Sequence, residues 1–244
     1  MRAFAFALHT LAIIIPAYNE EARLARTLQS IADAWTTGAI TEIELKQVIV
    51  VDDGSTDHTF GIACEWKKSL PIHVVRFPRN RGKGAAVRAG VKQADAESIL
   101  MFDADGAAPI LEIRKLLPSI LSGRADIAIG SRVFEGGGSL VTMAPHRRFI
   151  GRAYHALCSS LVPGIRDTAC GCKLFKADVA KHLFSLQTID RFAFDVEVLA
   201  LALRLHYRVV EVPLKWTAIP ESKVRLFRDG IEMFWCLIRL YITR

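Results

Sequence analysis

The sequence predicts an α/β fold: a mainly parallel central sheet covered by helices. Three observations predict it. Short, wholly apolar runs alternate with segments of helical spacing through the first half of the chain. Polar clusters follow those runs repeatedly, at the carboxyl ends where ligands of such sheets collect. The 244 residues, 51% of them hydrophobic, are enough for one large domain with a substantial core.

The elements follow in order. "LAIII" (11–15) reads as a first buried strand ended by Pro16, and Leu24, Leu28 and Ile31 share one face of a helix over about 20–34. "QVIVV" (47–51) is the second strand, after which Asp57 can cap a helix running to about Lys67. "IHVVRF" (72–77) is the third, and a basic glycine loop leads from it into a helix over 83–94. "SILMF" (98–102) and "DIAIG" (126–130) are the fourth and fifth. Then the pattern changes. "FEGGGSLVTMAPHRR" (134–148) is glycine-rich and then basic, a candidate mobile loop. Helices are expected over 149–161 and 194–205, a strand over 207–216, and a helix with apolar and basic faces over 225–244.

The formal net charge of +7, from 32 Lys and Arg against 25 Asp and Glu, favours anionic partners: phosphorylated substrates, acidic headgroups or nucleic acid. No window is long and apolar enough to span a membrane. The opening "MRAFAFALHTLAIIIPAYNEE" superficially resembles a signal peptide but lacks a small-residue cleavage pattern, so a cytosolic-facing chain is expected. The five cysteines are odd in number and widely spaced, which argues for buried small hydrophobes rather than a disulfide framework or a structural zinc site.

Three clusters carry chemistry. In "LMFDADGAAP", Asp103 and Asp105 follow a core strand. Carboxylates at i and i+2 can converge on a hard ion, Mg²⁺ or Mn²⁺, completed by water and phosphate oxygens; alternatively Asp105 caps the helix that starts near Pro109. In "VIVVDDGSTDHT", Asp52 and Asp53 can accept from base N–H or ribose hydroxyl groups, or organise the turn. In "PRNRGKGAAVRAG", Arg79, Arg81, Lys83 and Arg88 gather at a helix N-terminus that can receive a phosphorylated ligand, or form a solvated face. The loop lacks the G-K-[ST] of a P-loop, and the chain lacks an early G-x-G-x-x-G. Those absences count against an ATPase and a dehydrogenase.

Taken in order, "IIIPAYNEE", "VVDDGSTD", "NRGKGAAVRAG", "DADGA" and "IGSR" resemble a family 2 inverting glycosyltransferase with the GT-A fold. "GIRDTACGCKLF", "RFAFDVEVLALAL", "VEVPLKWT" and "SKV" are similar to the dolichyl-phosphate β-glucosyltransferase group and its prokaryotic polyprenyl-phosphate relatives. The resemblance implies a single GT-A catalytic domain over 1–244. Residues 1–132 would be its nucleotide-sugar half, and 133–244 its acceptor half with membrane-surface helices. It implies donor-binding roles for Pro16, Tyr18, Glu20, Asp52, Asp53, Arg81 and Lys83. It makes Asp103 and Asp105 the ligands of a divalent cation and, with Arg132, the catalytic residues. Arg132, Asp167, Lys173 and Asp195 fall on the acceptor side, with Cys170 and Gly171 in the same motif. Phe194, Asp195 and Glu197 match the helix motif that closes the cleft.

Dolichyl-phosphate mannose synthases carry a glutamine two residues after the D-x-D. Here Ala107 stands there, which disfavours mannose and leaves glucose from UDP-glucose as the expected donor sugar. GDP-mannose or another nucleotide sugar, and a soluble acceptor, are the alternatives. The expected partners are the nucleotide sugar, a polyprenyl phosphate and a membrane surface, without nucleic acid. The expected location is peripheral, at the cytoplasmic face of a membrane, with contact through 146–162 and 225–244.

Overall fold

In the computed structural model, residues 8–132, 158–217 and 228–242 are described, with side chains from 234 onward in the last segment. The apolar runs become strands β1 (Thr10–Ala17), β2 (Glu44–Asp52), β3 (Ile72–Arg76), β4 (Ser98–Phe102) and β5 (Ile127–Ser131). They are joined by helices α1 (Leu24–Thr36), α2 (Thr59–Glu65), α3 (Lys83–Gln93) and α4 (Ile113–Leu121). Strand β6 (Cys172–Lys176), helices α5 (Ala177–Leu186) and α6 (Phe194–Arg204), strand β7 (Val209–Pro213) and helix α7 (Arg228–Ile242) complete the order.

The seven strands form one sheet, β3-β2-β1-β4-β6-β5-β7. All neighbours are parallel except β6, which runs antiparallel to both β4 and β5. The chain winds outward from β1 to β3 and then returns to place β4 on the other side of β1. That reversal opens a crevice at the carboxyl ends of β1 and β4, where such sheets bind ligands.

Both faces of the central strands β1, β4 and β5 are buried, which explains their uninterrupted apolar runs, while the edge strands β3 and β7 are only partly covered. In β1, Leu11, Ile13 and Ile15 pack with Leu28, Ile31 and Leu117, while Ala12 and Ile14 pack with Val87, Leu183 and Leu199. Each fully buried aliphatic side chain contributes about 1.5–3 kcal/mol. Pro16 continues β1 rather than ending it. Pairing with β4 stops at Ile14, so the strand is one-sided where the proline falls. Helix α1 starts at Leu24, later than its apolar spacing implies. Asn19 adopts a left-handed φ of 53°, and the carbonyl of Glu20 accepts from the N–H groups of both Arg23 and Leu24, so 20–23 form a turn.

Strand β6 and helix α5 are additions to the expected elements. Lys173 interrupts the apolar pattern of β6 yet is 2% exposed. Cys158, Cys170 and Cys172 are buried and all five thiols are free, as small hydrophobes would be. The loop expected at 134–148 and most of the helix expected over 149–161 lie outside the described residues. Among the described residues, no helix is long and apolar enough to cross a membrane.

Asp126 ties the far side of the sheet. Its carboxylate accepts from Lys176 Nζ at 2.8 Å and from the Arg208 guanidinium at 2.9 and 3.0 Å. The Arg208 hydrogen bond leads these contacts, which together outweigh burial and hold its carboxyl well below the usual carboxylate range. A carboxylate whose folded pKa is lowered adds stability above its unfolded pKa, near 3.9, and loses it as pH falls toward the folded value. Asp126→Asn is therefore expected to cost about 1–2 kcal/mol near neutral pH. The gap between the urea midpoints of wild type and variant should be flat above about pH 5 and close progressively below about pH 4.

Candidate active site

The loop after β1 is clasped to the loop after β2. Asn19 N–H donates to Ser55 Oγ at 2.9 Å, and Asn19 Oδ1 accepts from Thr56 N–H at 2.8 Å. Glu20 N–H donates to Thr59 Oγ1, and His58 N–H to Glu21 Oε2. Asp57 Oδ1 accepts from Thr59 N–H at 3.0 Å, at the start of α2. The clasp sets Pro16, Tyr18 and Glu20 beside Asp52 and Asp53. Tyr18 is exposed, whereas the Glu20 carboxylate is taken up by a two-pronged pair with Arg23, at 2.7 and 2.6 Å.

The two adjacent aspartates divide their work. Asp53 accepts from Asn80 Nδ2, Arg81 N–H and Gly82 N–H at 2.8, 2.7 and 2.8 Å. Burial pushes its carboxyl above the ordinary range, against the Arg81 and Gly82 amides that pull it down. Asp53 is thus the anchor of the basic loop. Asp52 is fully buried and accepts from Ser55 N–H at 3.0 Å. Arg81 itself is exposed, with its guanidinium 4.8 Å from the centre of the Phe77 ring.

The anchored loop delivers Lys83. Its Nζ lies 2.6 Å from Asp103 Oδ1. Burial lowers the affinity of Lys83 for its proton, but Asp103, Asp195 and Asp105 more than offset this and hold it above its ordinary pKa. A second loop supports the first from below. Ala85 N–H donates to the Asp190 carbonyl at 2.9 Å, and Arg88 pairs with Asp190. Glu197 holds that second loop by accepting from Thr188 N–H, Thr188 Oγ1 and Ile189 N–H at 3.0, 2.7 and 2.8 Å. Arg88 is therefore a brace between loops.

Asp103 and Asp105 leave the end of β4 beside β6. Asp105 Oδ1 accepts from Ala107 N–H at 2.9 Å, so it orders its own turn, and the Ala107 carbonyl accepts from Thr217 N–H. Asp103 N–H donates to the Gly171 carbonyl at 3.1 Å. A Cβ at position 171 would stand 1.9 Å from Asp103 Oδ2. Gly171→Ala is expected to push the Asp103 carboxylate aside and lower catalytic turnover at least about tenfold, with a small change in melting temperature. Steady-state kinetics with a thermal melt check both.

The acceptor-side residues form two ion pairs. Arg132 grips Asp167 with Nε and Nη2, both at 2.7 Å, and lies 5.3 Å from the centre of the Trp216 ring. Burial alone would raise the Asp167 carboxyl; the Arg132 fork more than reverses that. Glu211, on β7, accepts from Asp167 N–H at 2.7 Å and fixes the loop. Lys173 donates to Asp195 Oδ1 at 2.5 Å and to the Cys170 carbonyl at 2.7 Å, both side chains being buried. Lys173 and Asp195 therefore lie under the site rather than on its surface.

Among the described residues, no group of three or more His, Cys, Asp or Glu side chains converges on one point. Two carboxylates do stand together. Asp103 Oδ1 is buried with Lys83 Nζ at 2.6 Å as its charge partner, and Asp105 uses one oxygen in its turn. That donor set fits a hard divalent cation that draws its remaining ligands from a diphosphate and water.

The sequence pointed to the D-x-D, the basic loop and the two acceptor-side pairs. It missed Arg76, whose Nε lies 3.1 Å from Asp52 Oδ2, and the contacts of Glu211 and Trp216 with Asp167 and Arg132. Arg76 closes β3, and the carboxyl-end rule applied to that strand would have found it.

The family model for glycosyl transferase family 2 matches residues 12–184. A dolichyl-phosphate beta-glucosyltransferase of Trichomonas vaginalis is 38% identical over 87% of this chain, which spans 65% of that protein's length. The dolichyl-phosphate beta-glucosyltransferase of Mus musculus is 37% identical, covering 91% of this chain and 72% of its own. Among solved structures, glucosyl-3-phosphoglycerate synthase of Mycobacterium tuberculosis bound to phosphoglyceric acid superposes with a TM-score of 0.73 at 21% identity, over 95% of this chain and 80% of that one. The same enzyme with Mn²⁺, UDP and glucosyl-3-phosphoglycerate gives a TM-score of 0.73 at 20% identity, over the same shares. The fold is therefore GT-A.

Proposed function

The chain belongs to glycosyl transferase family 2, and on that premise we propose that it transfers glucose from UDP-glucose to a polyprenyl phosphate, dolichyl or undecaprenyl, with inversion to the β-linked product. The observation that carries this reading is the position of Asp103 and Asp105. Lys83 Nζ lies 2.6 Å from Asp103 Oδ1, Asp105 also acts on the Lys83 charge, and Arg132, held by Asp167, is near enough to Asp103 for their charges to interact. Such a site suits two anionic substrates that must meet. The lipid and the sugar are supported by the names of the relatives.

This reading assigns each residue a role. Asp52 lies at the base end of the donor and Asp53 holds the loop that presents Arg81 and Lys83. Lys83 faces the leaving diphosphate and offsets charge that builds there. Asp103 and Asp105 would hold Mg²⁺ or Mn²⁺, which when bound supplies Lewis-acid stabilisation of that diphosphate. Arg132, oriented by Asp167 and Trp216, has its Nη1 donors left to meet the acceptor phosphate. Lys173 and Asp195 position the Cys170–Cys172 segment against Asp103.

A phosphate monoester is largely ionised near neutral pH, with a second pKa around 6, so its oxygen attacks without a general base. The structure suits that. Asp167, Asp195 and Glu197, the carboxylates that could take a proton from an alcohol, are all held as ion-pair or loop partners. The lipid acceptor also accounts for exposed Phe234, Trp235, Tyr241 and Ile242 on α7. These side chains suit the interfacial region of a membrane, at whose cytoplasmic face the protein would act.

A donor and acceptor panel tests the proposal. UDP-glucose, UDP-galactose and GDP-mannose are each offered with a short polyprenyl phosphate or with phosphoglycerate, with and without Mg²⁺ or Mn²⁺. Cation-dependent transfer from UDP-glucose to the lipid phosphate is expected. Transfer to phosphoglycerate alone would move the assignment to a soluble acceptor.

A further inference from the structure

We propose that Thr27, on α1, is a positioning residue that sets the angle between Asp103 and Asp105 and so the affinity for their divalent cation. The inference rests on the cation reading above and deepens it to a residue outside the site. Thr27 is 3% exposed, on the buried face of α1 that carries Leu24, Leu28 and Ile31. An apolar side chain would fill that place as well, and a hydroxyl buried there is costly unless it is hydrogen-bonded. A threonine in a helix commonly turns its hydroxyl back to a carbonyl of the preceding turn. Thr27 Oγ1 instead donates to the Ala104 carbonyl, 77 residues away, at 2.8 Å.

That carbonyl belongs to the peptide between Ala104 and Asp105. Because the peptide is planar, holding its oxygen fixes the rotation of the whole unit. The direction in which Asp105 leaves the chain, relative to Asp103, is fixed with it. The turn meets Thr27 at a second point. Gly106 has a φ of 71°, and a Cβ there would stand 3.1 Å from Thr27 Oγ1. Backbone hydrogen bonds hold the two ends of the turn: Asp103 N–H to the Gly171 carbonyl at 3.1 Å, and Thr217 N–H to the Ala107 carbonyl at 2.9 Å. Thr27 supports the middle. Two carboxylates are a small donor set for a hard cation, so their mutual angle weighs heavily on affinity. Groups behind the ligands that orient them in this way are typically worth about 10–100-fold in metal affinity.

Titration calorimetry of the full chain with UDP, in EDTA and at a series of Mn²⁺ concentrations, tests this without turnover. Wild type should bind UDP more tightly as Mn²⁺ is raised. Thr27→Val keeps the shape and removes the donor. It should need about tenfold more Mn²⁺ to reach the same UDP affinity, with UDP binding in EDTA unchanged. Thr27→Ser keeps the hydroxyl and should restore the wild-type Mn²⁺ dependence. Thermal melts verify folding; should Thr27→Val fail to fold, Thr27→Ala makes the same comparison with Thr27→Ser. A Thr27→Val curve that overlays wild type would overturn the inference. So would a Thr27→Ser curve displaced as far as that of Thr27→Val, since side-chain volume and not the hydroxyl would then be the cause. UDP binding lost in EDTA as well as in Mn²⁺ would show general damage to the site and overturn it too. Wild type whose UDP affinity ignores Mn²⁺ would remove the cation reading itself, and the inference with it.

Discussion

Asp103→Ala is expected to lower glucosyl transfer by about a hundredfold or more, the scale on which loss of one well-placed electrostatic contact slows a reaction in a dry site. Asp103 combines two functions at one carboxylate. It holds the ammonium of Lys83 at 2.6 Å and, with Asp105, would hold the divalent cation whose charge stabilises the leaving diphosphate. Its removal takes away the largest of the charges that offset the burial of Lys83 and leaves that side chain no longer aimed. Asp103→Asn tests the charge with little change of shape, which matters because Gly171 leaves no room beside that side chain. Both variants should melt close to wild type while turnover falls. Turnover within about threefold of wild type would remove Asp103 from the chemistry.

Lys173→Met is expected to act on stability. The Lys173 and Asp195 side chains are 2% and 8% exposed, so the variant leaves a buried carboxylate without its cation. Breaking a buried pair in this way costs about 3–5 kcal/mol. In a chain of this size that is roughly 6–20 °C in melting temperature. Lys173→Met combined with Asp195→Leu should recover much of the loss, because an apolar pair of similar volume avoids the desolvation penalty. Thermal or urea unfolding of the two variants makes the comparison. A single variant as stable as wild type would mean that the pair is open to water.

The parallel part of the sheet was readable because strands buried on both faces are continuous apolar runs, as in β1 and β4. Strand β6 was not readable, because its buried Lys173 breaks the run and its partner Asp195 lies on a distant helix. The D-x-D was readable for the opposite reason: two charges after a core strand have no packing role. Asp53 was found as a polar position, but its work was hidden. Two of its partners are the backbone N–H groups of Arg81 and Gly82, 28 and 29 residues away, and side-chain identity carries no sign of them. Glu20 and Arg88 were hidden in the same way by Arg23 and Asp190. A charged residue at the mouth of an α/β sheet can serve the ligand or the loop that meets it, and only its partners distinguish the two.

The central claim is a single displacement in which a lipid phosphate attacks glucose held beside Asp103, Asp105 and Lys83. The anomeric configuration of the lipid-linked glucose, read by proton NMR of the product formed from UDP-α-glucose, tests it most directly. The account predicts the β-anomer, formed without a base-dependent pH limb attributable to Asp167, Asp195 or Glu197. An α-linked product would contradict it.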